Sequence, residues 1–348
     1  MRKLSIQTQT LYSELLEQLI TFETSRSLGH NRGCFTQKII KGETYFYFQY
    51  SELGGKHRQI YLGKKTPELE NLEKKFLQDK NFWKTDSQKI QILSAQLRSG
   101  GATTTDSASV RVLRALAESG FFHSEAILIG THAFLCIGNL LGVKWEDVST
   151  RTQDIDLASE PTQIVISDQK IDIPQILERL EMGFLPIPSL NLKYPSTSFH
   201  IRGQDVRVDL LTPLRGKPTS KPVFLSQLQA SAQPLRFLDY LIKVPVKAVV
   251  LNGESFLVNI PDPARFAFHK LIVAQERGVT QHSKRDKDLK QAGQILSFLC
   301  EERAGDIRLA WKELKKEGNA WEKRVYASLK HIYKIFPQLE DVLKKIVA

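Results

Sequence analysis

The chain has little of what organises disulfide-rich, zinc-binding or membrane-spanning proteins. Its 348 residues include only three cysteines, Cys34, Cys136 and Cys300. They are odd in number and far apart, which indicates reduced thiols in a cytosolic protein rather than disulfides or a zinc site. No segment has the ~18 uncharged apolar residues that span a bilayer, and the N-terminus has no apolar signal core. We therefore expect a cytoplasmic protein without a membrane segment.

Two catalytic loops with recognisable sequences are also missing. The chain contains neither a Walker-type glycine loop nor a Gly-x-Ser-x-Gly elbow. Their absence argues against a P-loop NTPase and a serine hydrolase. The histidines His200, His269 and His282 do not have the spacing of zinc ligands.

Positive charge, in contrast, is plentiful. The chain has 49 Lys and Arg residues against 38 Asp and Glu, a formal net charge of +11. Such an excess favours an anionic partner, and nucleic acid is a natural candidate. A basic chain need not bind nucleic acid, however, so charge alone leaves both possibilities open.

The most informative stretch is an apolar run, 127–129, that ends at Gly130-Thr131 and is followed later by Asp154 and Asp156. In a strand, residues i and i+2 point to the same face, so the two carboxylates should converge. Converging carboxylates repel each other unless a cation lies between them. Hard oxygen ligands suit Mg²⁺, which takes part of its shell from substrate phosphates. The pattern therefore predicts a metal site.

A third carboxylate fits the same picture. Asp209 lies among apolar residues in a predicted strand, 205–211. If this strand pairs beside the first, three carboxylates can hold two metal ions for an in-line phosphoryl displacement. Gly130 and Thr131 open a predicted helix, 132–141, whose first amides can bind a triphosphate. The alternative is that the acids simply face solvent, but burying unpaired carboxylates among apolar neighbours is costly.

In this order the three motifs resemble nucleotidyltransferases of the DNA polymerase β superfamily. Within it, LIGTHAF, TQDIDLAS and VRVDLLTP look like a bacterial nucleotidyltransferase-fold family, with AbiEii-type toxins and aminoglycoside nucleotidyltransferases as more distant relatives. The resemblance covers roughly residues 105–300. The chain departs from the pattern in having Gly-Thr for Gly-Ser, which keeps the hydroxyl, and in a longer gap that predicts an insertion over 142–151.

The resemblance implies an α+β fold built on a mixed sheet. It also implies Asp154, Asp156 and Asp209 as catalytic residues and metal ligands, Gly130 and Thr131 as nucleotide-binding residues, Mg²⁺ or Mn²⁺ as cofactor, and a nucleoside triphosphate as donor. The expected reaction moves a nucleoside monophosphate to an acceptor hydroxyl, with tRNA or another RNA as a candidate acceptor. The alternatives are transfer to a protein side chain or a small molecule, a toxin-like role in either case, and an inactive nucleic-acid-binding module.

Five further residues are candidate nucleotide contacts. The resemblance implies this role for Lys270, since related families often carry a lysine in the corresponding helix, and for Lys284 and Lys287, in a segment like one of AbiEii-type proteins. His132 and Arg151 are candidates because they lie next to the two main motifs. The alternative for the lysines is a solvated helix face, and His132 can simply cap its helix.

The N-terminal region combines a predicted amphipathic helix, 4–28, with three β-rich runs at 34–40, 44–50 and 57–63. Glycine turns between aromatic and β-branched runs predict a meander. Aromatic rings that stack on bases, among cations that bind phosphate, are typical of single-strand nucleic-acid surfaces. The candidate contacts are Tyr45, Tyr47, Lys56, Arg58, Tyr61 and Lys64. Ordinary cross-strand packing and a charged edge explain the same residues, and this alternative stays open.

The small polar segment 99–105 divides the chain, and two helices, 67–78 and 79–97, are predicted before it. We therefore expect an N-terminal helix and meander in residues 1–98, a catalytic core in 105–215, and a mostly helical domain in 216–348 that closes the nucleotide cleft. Within the last part, Asn252-Gly253 predicts a hairpin turn between two strands.

Overall fold

The computed structural model describes residues 1–24, 33–51, 57–123, 126–146, 153–161, 171–189 and 191–347. The helices of this part are α1 (Ile6–Thr24), α2 (Pro67–Ser99), α3 (Ser107–Glu118), α4 (Gly130–Leu140), α5 (Ile173–Arg179), α6 (Leu238–Ile242), α7 (Pro263–Glu276), α8 (His282–Glu302), α9 (Ala304–Lys315), α10 (Asn319–Ile335) and α11 (Glu340–Val347). The strands are β1 (Arg2–Lys3), β2 (Gly33–Ile40), β3 (Glu43–Ser51), β4 (His57–Lys64), β5 (Ile127–Ile129), β6 (Val143–Lys144), β7 (Asp154–Ala158), β8 (Phe184–Pro186), β9 (Ser198–Ile201), β10 (Arg207–Pro213), β11 (Val223–Leu225), β12 (Ala230–Leu235), β13 (Pro245–Val250) and β14 (Phe256–Pro261).

A seven-stranded mixed sheet forms the centre of the molecule, in the order β11-β12-β10-β7-β5, with β9 on β10 and β8 on β9. β10 runs parallel to both β7 and β12, whereas β5 and β9 are antiparallel to their neighbours. One face of β7 and β10 is apolar and fully buried, through Ile155, Leu157, Val208 and Leu210. The predicted α+β class is confirmed.

The sheet continues past residue 215, where the sequence predicts that the catalytic core ends. Leu211 of β10 pairs with Gln233 of β12, and Val223 of β11 pairs with Ala232. The segment 216–235 therefore belongs to the central sheet, although it lies in the predicted C-terminal region. Parallel pairing joins residues that are distant in sequence, so no local pattern announces it.

The hairpin and helices beyond the sheet complete its core. The β13–β14 hairpin forms as predicted, with its turn at Asn252-Gly253. Asn259 fastens it to the sheet by donating to the Phe122 and Ala126 carbonyls at 2.7 and 2.9 Å. Helices α7–α11 follow, and their buried apolar side chains join those of the sheet in one cluster. Within the described ranges, no helix is long and apolar enough to cross a membrane.

The N-terminal region is attached to the core by α1 and the C-terminal half of α2. Leu15, Leu97 and Val249 meet in a second apolar cluster, so α1, α2 and the β13–β14 hairpin share a core. The helix α2 is continuous over 33 residues, where the sequence predicts two helices. Residue 79 is not a break, because Asp79 lacks the helix-ending power of Gly or Pro. At 1.5 Å per residue α2 is about 50 Å long.

The segment 99–105 is ordered rather than a free linker. The Asn139 side chain accepts from the Thr103 amide at 2.9 Å and donates to the Thr103 carbonyl at 2.8 Å. The Thr105 amide donates to the Leu251 carbonyl at 3.1 Å. These bonds join the end of α2 to the last turn of α4 and to the hairpin. All three cysteines are free thiols, and Cys136 is buried.

Candidate active site

One row of residues crosses four strands of the central sheet. Asp156 pairs with Asp209 on the neighbouring parallel strand and with Ile129 at the end of β5. Ser198 of β9 pairs with Asp209 on its other side. Residues in register on adjacent strands point to the same face. The predicted meeting of the two aspartate strands is therefore present in the sheet register.

The start of α4 lies directly against the Asp156 carboxylate. Gly130 has φ of +67°, a conformation that glycine adopts at little cost. A Cβ atom added to Gly130 would overlap the Oδ2 atom of Asp156. Glycine is required here for both reasons, and its absent side chain lets the carboxylate reach the first residue of the helix. Thr131 follows it and is mostly buried.

Negative charge around Asp156 is not fully balanced. Burial raises the pKa of Asp156 to about 6, and repulsion from Asp209 and Asp154 adds to this effect. Lys270 and Arg207 act in the opposite direction but do not cancel it. The site is thus a place where an added cation would stabilise the ionised carboxylates.

Arg207 is a site residue that the sequence analysis missed. It pairs with Asp154 in the sheet register. Its Nε atom donates to Asp209 Oδ1 at 2.8 Å, and its Nη2 atom donates to Ser198 Oγ at 3.2 Å. Ser198 Oγ also donates to Asp209 Oδ1. The available signal was the i, i+2 spacing of Arg207 and Asp209, which places both on one strand face.

Lys270 of α7 is paired with a carboxylate that the sequence analysis did not single out. Its Nζ atom is 2.7 Å from Asp288 Oδ1, and Arg277 Nε is 3.2 Å from Asp288 Oδ2. The Asp288 side chain is only 4% exposed. Its burial would raise the pKa, but Lys270 and Arg277 outweigh burial and hold the pKa of Asp288 below its usual value.

Lys287 of α8 interacts electrostatically with Asp154 and Asp156, which together with Asp209 form the carboxylate row. Burial lowers its pKa first and the charge of Lys270 lowers it further, while Asp288, Asp154 and Asp156 raise it. The helix α8 therefore brings positive charge to the carboxylates from outside the sheet. Lys284 is exposed one turn earlier, and its i, i+3 spacing puts it on the same side of α8 as Lys287.

His132 is buried, with 1% of its surface exposed. Neither ring nitrogen has a hydrogen-bond partner. Burial lowers the pKa of His132 to about 4, so the ring is neutral at pH 7. The alternative that it caps its helix has no support, because no cap hydrogen bond from it is present at the start of α4. Arg151 lies outside the described residues.

The meander candidates separate into two groups. The Tyr61 ring centroid lies 6.2 Å from that of Tyr45 and 5.4 Å from that of Tyr47, so these three share one face. Arg58 pairs with Tyr50 and projects from the opposite face. Lys64 is in an ion pair with Glu43. Lys56 lies outside the described residues.

The carboxylate oxygens of Asp154, Asp156 and Asp209 suit a hard divalent cation, but they do not surround one common point. Within the described part of the chain, no three His, Cys, Asp or Glu side chains lie in an arrangement that could hold a metal ion. Asp209 is instead engaged by Arg207 and Ser198. The chemistry of the oxygens and the raised pKa of Asp156 nevertheless fit a cation such as Mg²⁺.

Comparison with known proteins identifies the family. The model of a family described as Nucleotidyltransferase matches residues 107–316. The chain belongs to this nucleotidyltransferase family. The match begins at α3, contains Asp154, Asp156, Asp209, Lys270 and Lys287, and leaves out the N-terminal meander. The prediction of a nucleotidyltransferase is thereby confirmed, while the relation to AbiEii-type toxins and aminoglycoside nucleotidyltransferases stays a prediction.

A search of solved structures found similarity to the crystal structure of an antigenic nucleotidyltransferase-like protein from Paracoccidioides brasiliensis. The identity is 14%, the match covers 70% of this chain and 95% of that chain, and the TM-score is 0.37. None of the curated proteins matches this chain.

Proposed function

We propose that this nucleotidyltransferase moves a nucleoside monophosphate from a nucleoside triphosphate to an acceptor hydroxyl with the help of a divalent metal ion. The observation that carries the proposal is the contact of the Asp156 carboxylate with Gly130 at the start of α4. It joins a carboxylate row, suited to a cation, to a helix N-terminus, suited to phosphate. A metal-bound triphosphate requires both at one place.

Asp154, Asp156 and Asp209 would hold the metal, Mg²⁺ or Mn²⁺. When bound, the metal would supply positive charge that neutralises the phosphoryl oxygens of the donor. A cation at Asp209 would compete with the guanidinium of Arg207, because the Asp209 Oδ1 atom accepts from that group. Asp156 gains most from a cation, since burial and its two neighbours keep its pKa near 6.

The start of α4 would bind the phosphates. Its first backbone amides have no partner within the helix, and its dipole favours a negative group there. Gly130 has no side chain to obstruct the approach, and Thr131 adds a hydroxyl. Lys270 and Lys287 supply positive charge from α7 and α8, which stabilises the charge that develops on the departing pyrophosphate.

The acceptor would lose its proton to Asp209, acting as general base. The acceptor oxygen then forms a bond to the α-phosphorus while the bond from that phosphorus to the bridging oxygen breaks. Pyrophosphate leaves with the electron pair. In the metal-free protein, Arg207 and Ser198 hold the Asp209 carboxylate in one orientation by bonding to its Oδ1 atom.

RNA is the acceptor class that we propose, because the chain carries a net charge of +11, more than a nucleotide alone requires. The test is transfer of label from each of four α-³²P nucleoside triphosphates, with Mg²⁺ or Mn²⁺, into total RNA and protein. Label in RNA that is lost in Asp154→Ala supports the proposal. Label in protein would identify a protein side chain, rather than RNA, as the acceptor. Absence of both transfer and nucleotide binding would indicate an inactive module.

A further inference from the structure

The meander β2–β4 has one face that is packed and one that is open. On the packed face, the Phe35, Phe48 and Phe76 rings are in edge contact, with centroids 5.3 to 5.5 Å apart. Phe76 belongs to α2, and Phe46 of the same face is completely buried. This aromatic cluster packs the sheet against α2. The tyrosines lie on the other face and take no part in the cluster.

The open face, formed by Tyr45, Tyr47 and Tyr61, presents aromatic rings to solvent. Tyr61 is 56% exposed, and the other two rings are partly exposed. Lys38 Nζ lies 4.7 Å from the centroid of the Tyr47 ring. Lys38 also donates to Gln59 at 2.8 Å, and Gln59 donates to Thr36 at 2.9 Å. The tyrosine rings are thus next to the hydrogen-bonded side chains of Lys38, Gln59 and Thr36.

The helix α2 holds this face away from the catalytic core. Its buried residues Ile90, Leu93 and Leu97 pack in the cluster shared with α1 and the hairpin. Phe76, the attachment point of the meander, precedes Leu97 by a helical rise of about 32 Å. The meander also lies outside the matched family region, 107–316. It is an appended arm rather than a cover for the core.

The N-terminal region, which comprises α1, the meander and α2, carries a disproportionate share of the positive charge. Residues 1–98 contain 16 Lys and Arg against 10 Asp and Glu, which gives +6 of the total +11 in little more than a quarter of the chain. Lys38 and Lys41 are exposed on the meander itself. Charge complementarity therefore favours an anionic occupant for the open face.

We infer that the open face of Tyr45, Tyr47 and Tyr61 binds a single-stranded segment of nucleic acid, on whose bases the rings stack. Base stacking on aromatic rings needs unpaired bases and tolerates any sequence, while the cations of the arm neutralise phosphates. The inference that this face binds nucleic acid depends only on the residues of the face and not on the proposed enzymatic activity. Its role, which is to present an RNA acceptor to the carboxylate row, rests on the proposed function.

Binding is best measured by fluorescence anisotropy without nucleotide or metal, using labelled single-stranded RNA, single-stranded DNA and an RNA duplex. The variant Tyr47→Leu/Tyr61→Leu keeps apolar packing but removes the stacking rings. We expect it to bind single strands at least about tenfold more weakly, since each stacked base contributes appreciably. Tyr47→Phe/Tyr61→Phe should stay within about twofold, because the rings remain. Tyr326→Leu, at an exposed tyrosine of α10, is the matched control and should bind normally.

Several outcomes would overturn the inference. They are absence of binding by the wild-type protein, equal binding by the leucine double variant, and a preference for duplex. Self-association that disappears in the same variant would assign the face to a second copy. Stronger binding of RNA than of DNA would identify a 2′-hydroxyl contact, whereas equal binding keeps the inference in its general form.

A second measurement does not depend on any variant folding. Single-stranded RNA containing 4-thiouridine should crosslink on irradiation of the wild-type protein to peptides within 33–64. Crosslinks confined to other segments would contradict the inference. Asp154→Ala should lose transfer but keep RNA binding. The leucine double variant should lose RNA binding but keep nucleotide binding. The failure of this inference and that of the proposed function are thereby distinguishable.

Discussion

Two carboxylates of the region 107–316, Asp288 and Asp156, differ in how their charge is balanced. Asp288, at the junction of α7 and α8, is paired with Lys270 and Arg277, which hold its pKa below the usual value despite burial. Asp156, on the sheet, has Asp209 and Asp154 as neighbours and a pKa raised to about 6. The chain thus neutralises Asp288 with its own cations, whereas the charge of Asp156 is incompletely compensated. A buried charge that is compensated supports structure, whereas an uncompensated one marks a binding site.

The largest effect is expected from removing the carboxylates themselves. Asp154→Ala should lower nucleotide transfer by about 10³-fold or more, the upper range for loss of one preorganised electrostatic group. Asp154 is exposed, so the melting temperature should change little. Asp205→Ala, at an exposed carboxylate just before β10, is the matched control and should transfer normally. Equal loss in both variants would contradict a specific role for Asp154.

Asp288→Asn should have the largest effect on stability. It leaves Lys270 and Arg277 without their carboxylate, and breaking a buried pair in this way costs about 3–5 kcal/mol. Denaturant unfolding of this variant beside Asp286→Asn, at an exposed position of the same helix, measures the difference. If both variants lose the same stability, the compensated state of Asp288 is not what holds α7 to α8.

Asp156→Asn should act in the opposite direction and stabilise the metal-free protein by about 1–3 kcal/mol, since a shift of one pKa unit corresponds to 1.36 kcal/mol. The folded protein binds a proton more tightly here than the unfolded chain does. Wild-type stability relative to Asp156→Asn should therefore fall as the pH rises from about 4 to about 6, and then level off. Melting curves of both proteins in EDTA across this range provide the test. A difference that does not vary with pH would contradict it.

A divalent cation should reduce the difference in stability between the wild-type protein and Asp156→Asn. At tenfold excess over its dissociation constant, Mg²⁺ should stabilise the wild-type protein by about 1.4 kcal/mol, through binding to the folded state alone. Asp156→Asn should show no such gain. Thermal melts with and without Mg²⁺ make the measurement, and an equal gain in both proteins would place the cation elsewhere.

The smallest effect concerns Arg207. Arg207→Gln removes the guanidinium that occupies Asp209 Oδ1, so Mn²⁺ binding should tighten by about two- to fivefold, as expected for a partly exposed ion pair. Isothermal titration with Mn²⁺ measures this constant. Weaker binding would mean that Arg207 organises Asp209 for the cation instead of competing with it.

Local patterns were sufficient for much of the site. Alternation of polar and apolar residues predicted that Asp154 and Asp156 share a strand face, and the glycine after a short apolar run predicted the start of α4. What they could not supply was register. The registers that pair Arg207 with Asp154 and Asp209 with Asp156 depend on how neighbouring strands align, as does the addition of β12 beyond residue 215. Asp288 resembled an ordinary charge of a solvated helix, because its partners lie on another helix and in the turn that follows it.

The bonds between Asn139 and Thr103 have a mechanical consequence. Asn139 is in the last turn of α4, and Thr103 comes four residues after the end of α2. One end of α4 is thus anchored where the long helix stops, while its other end touches Asp156. A displacement of α2 would therefore be transmitted to α4, the helix that we propose binds the phosphates.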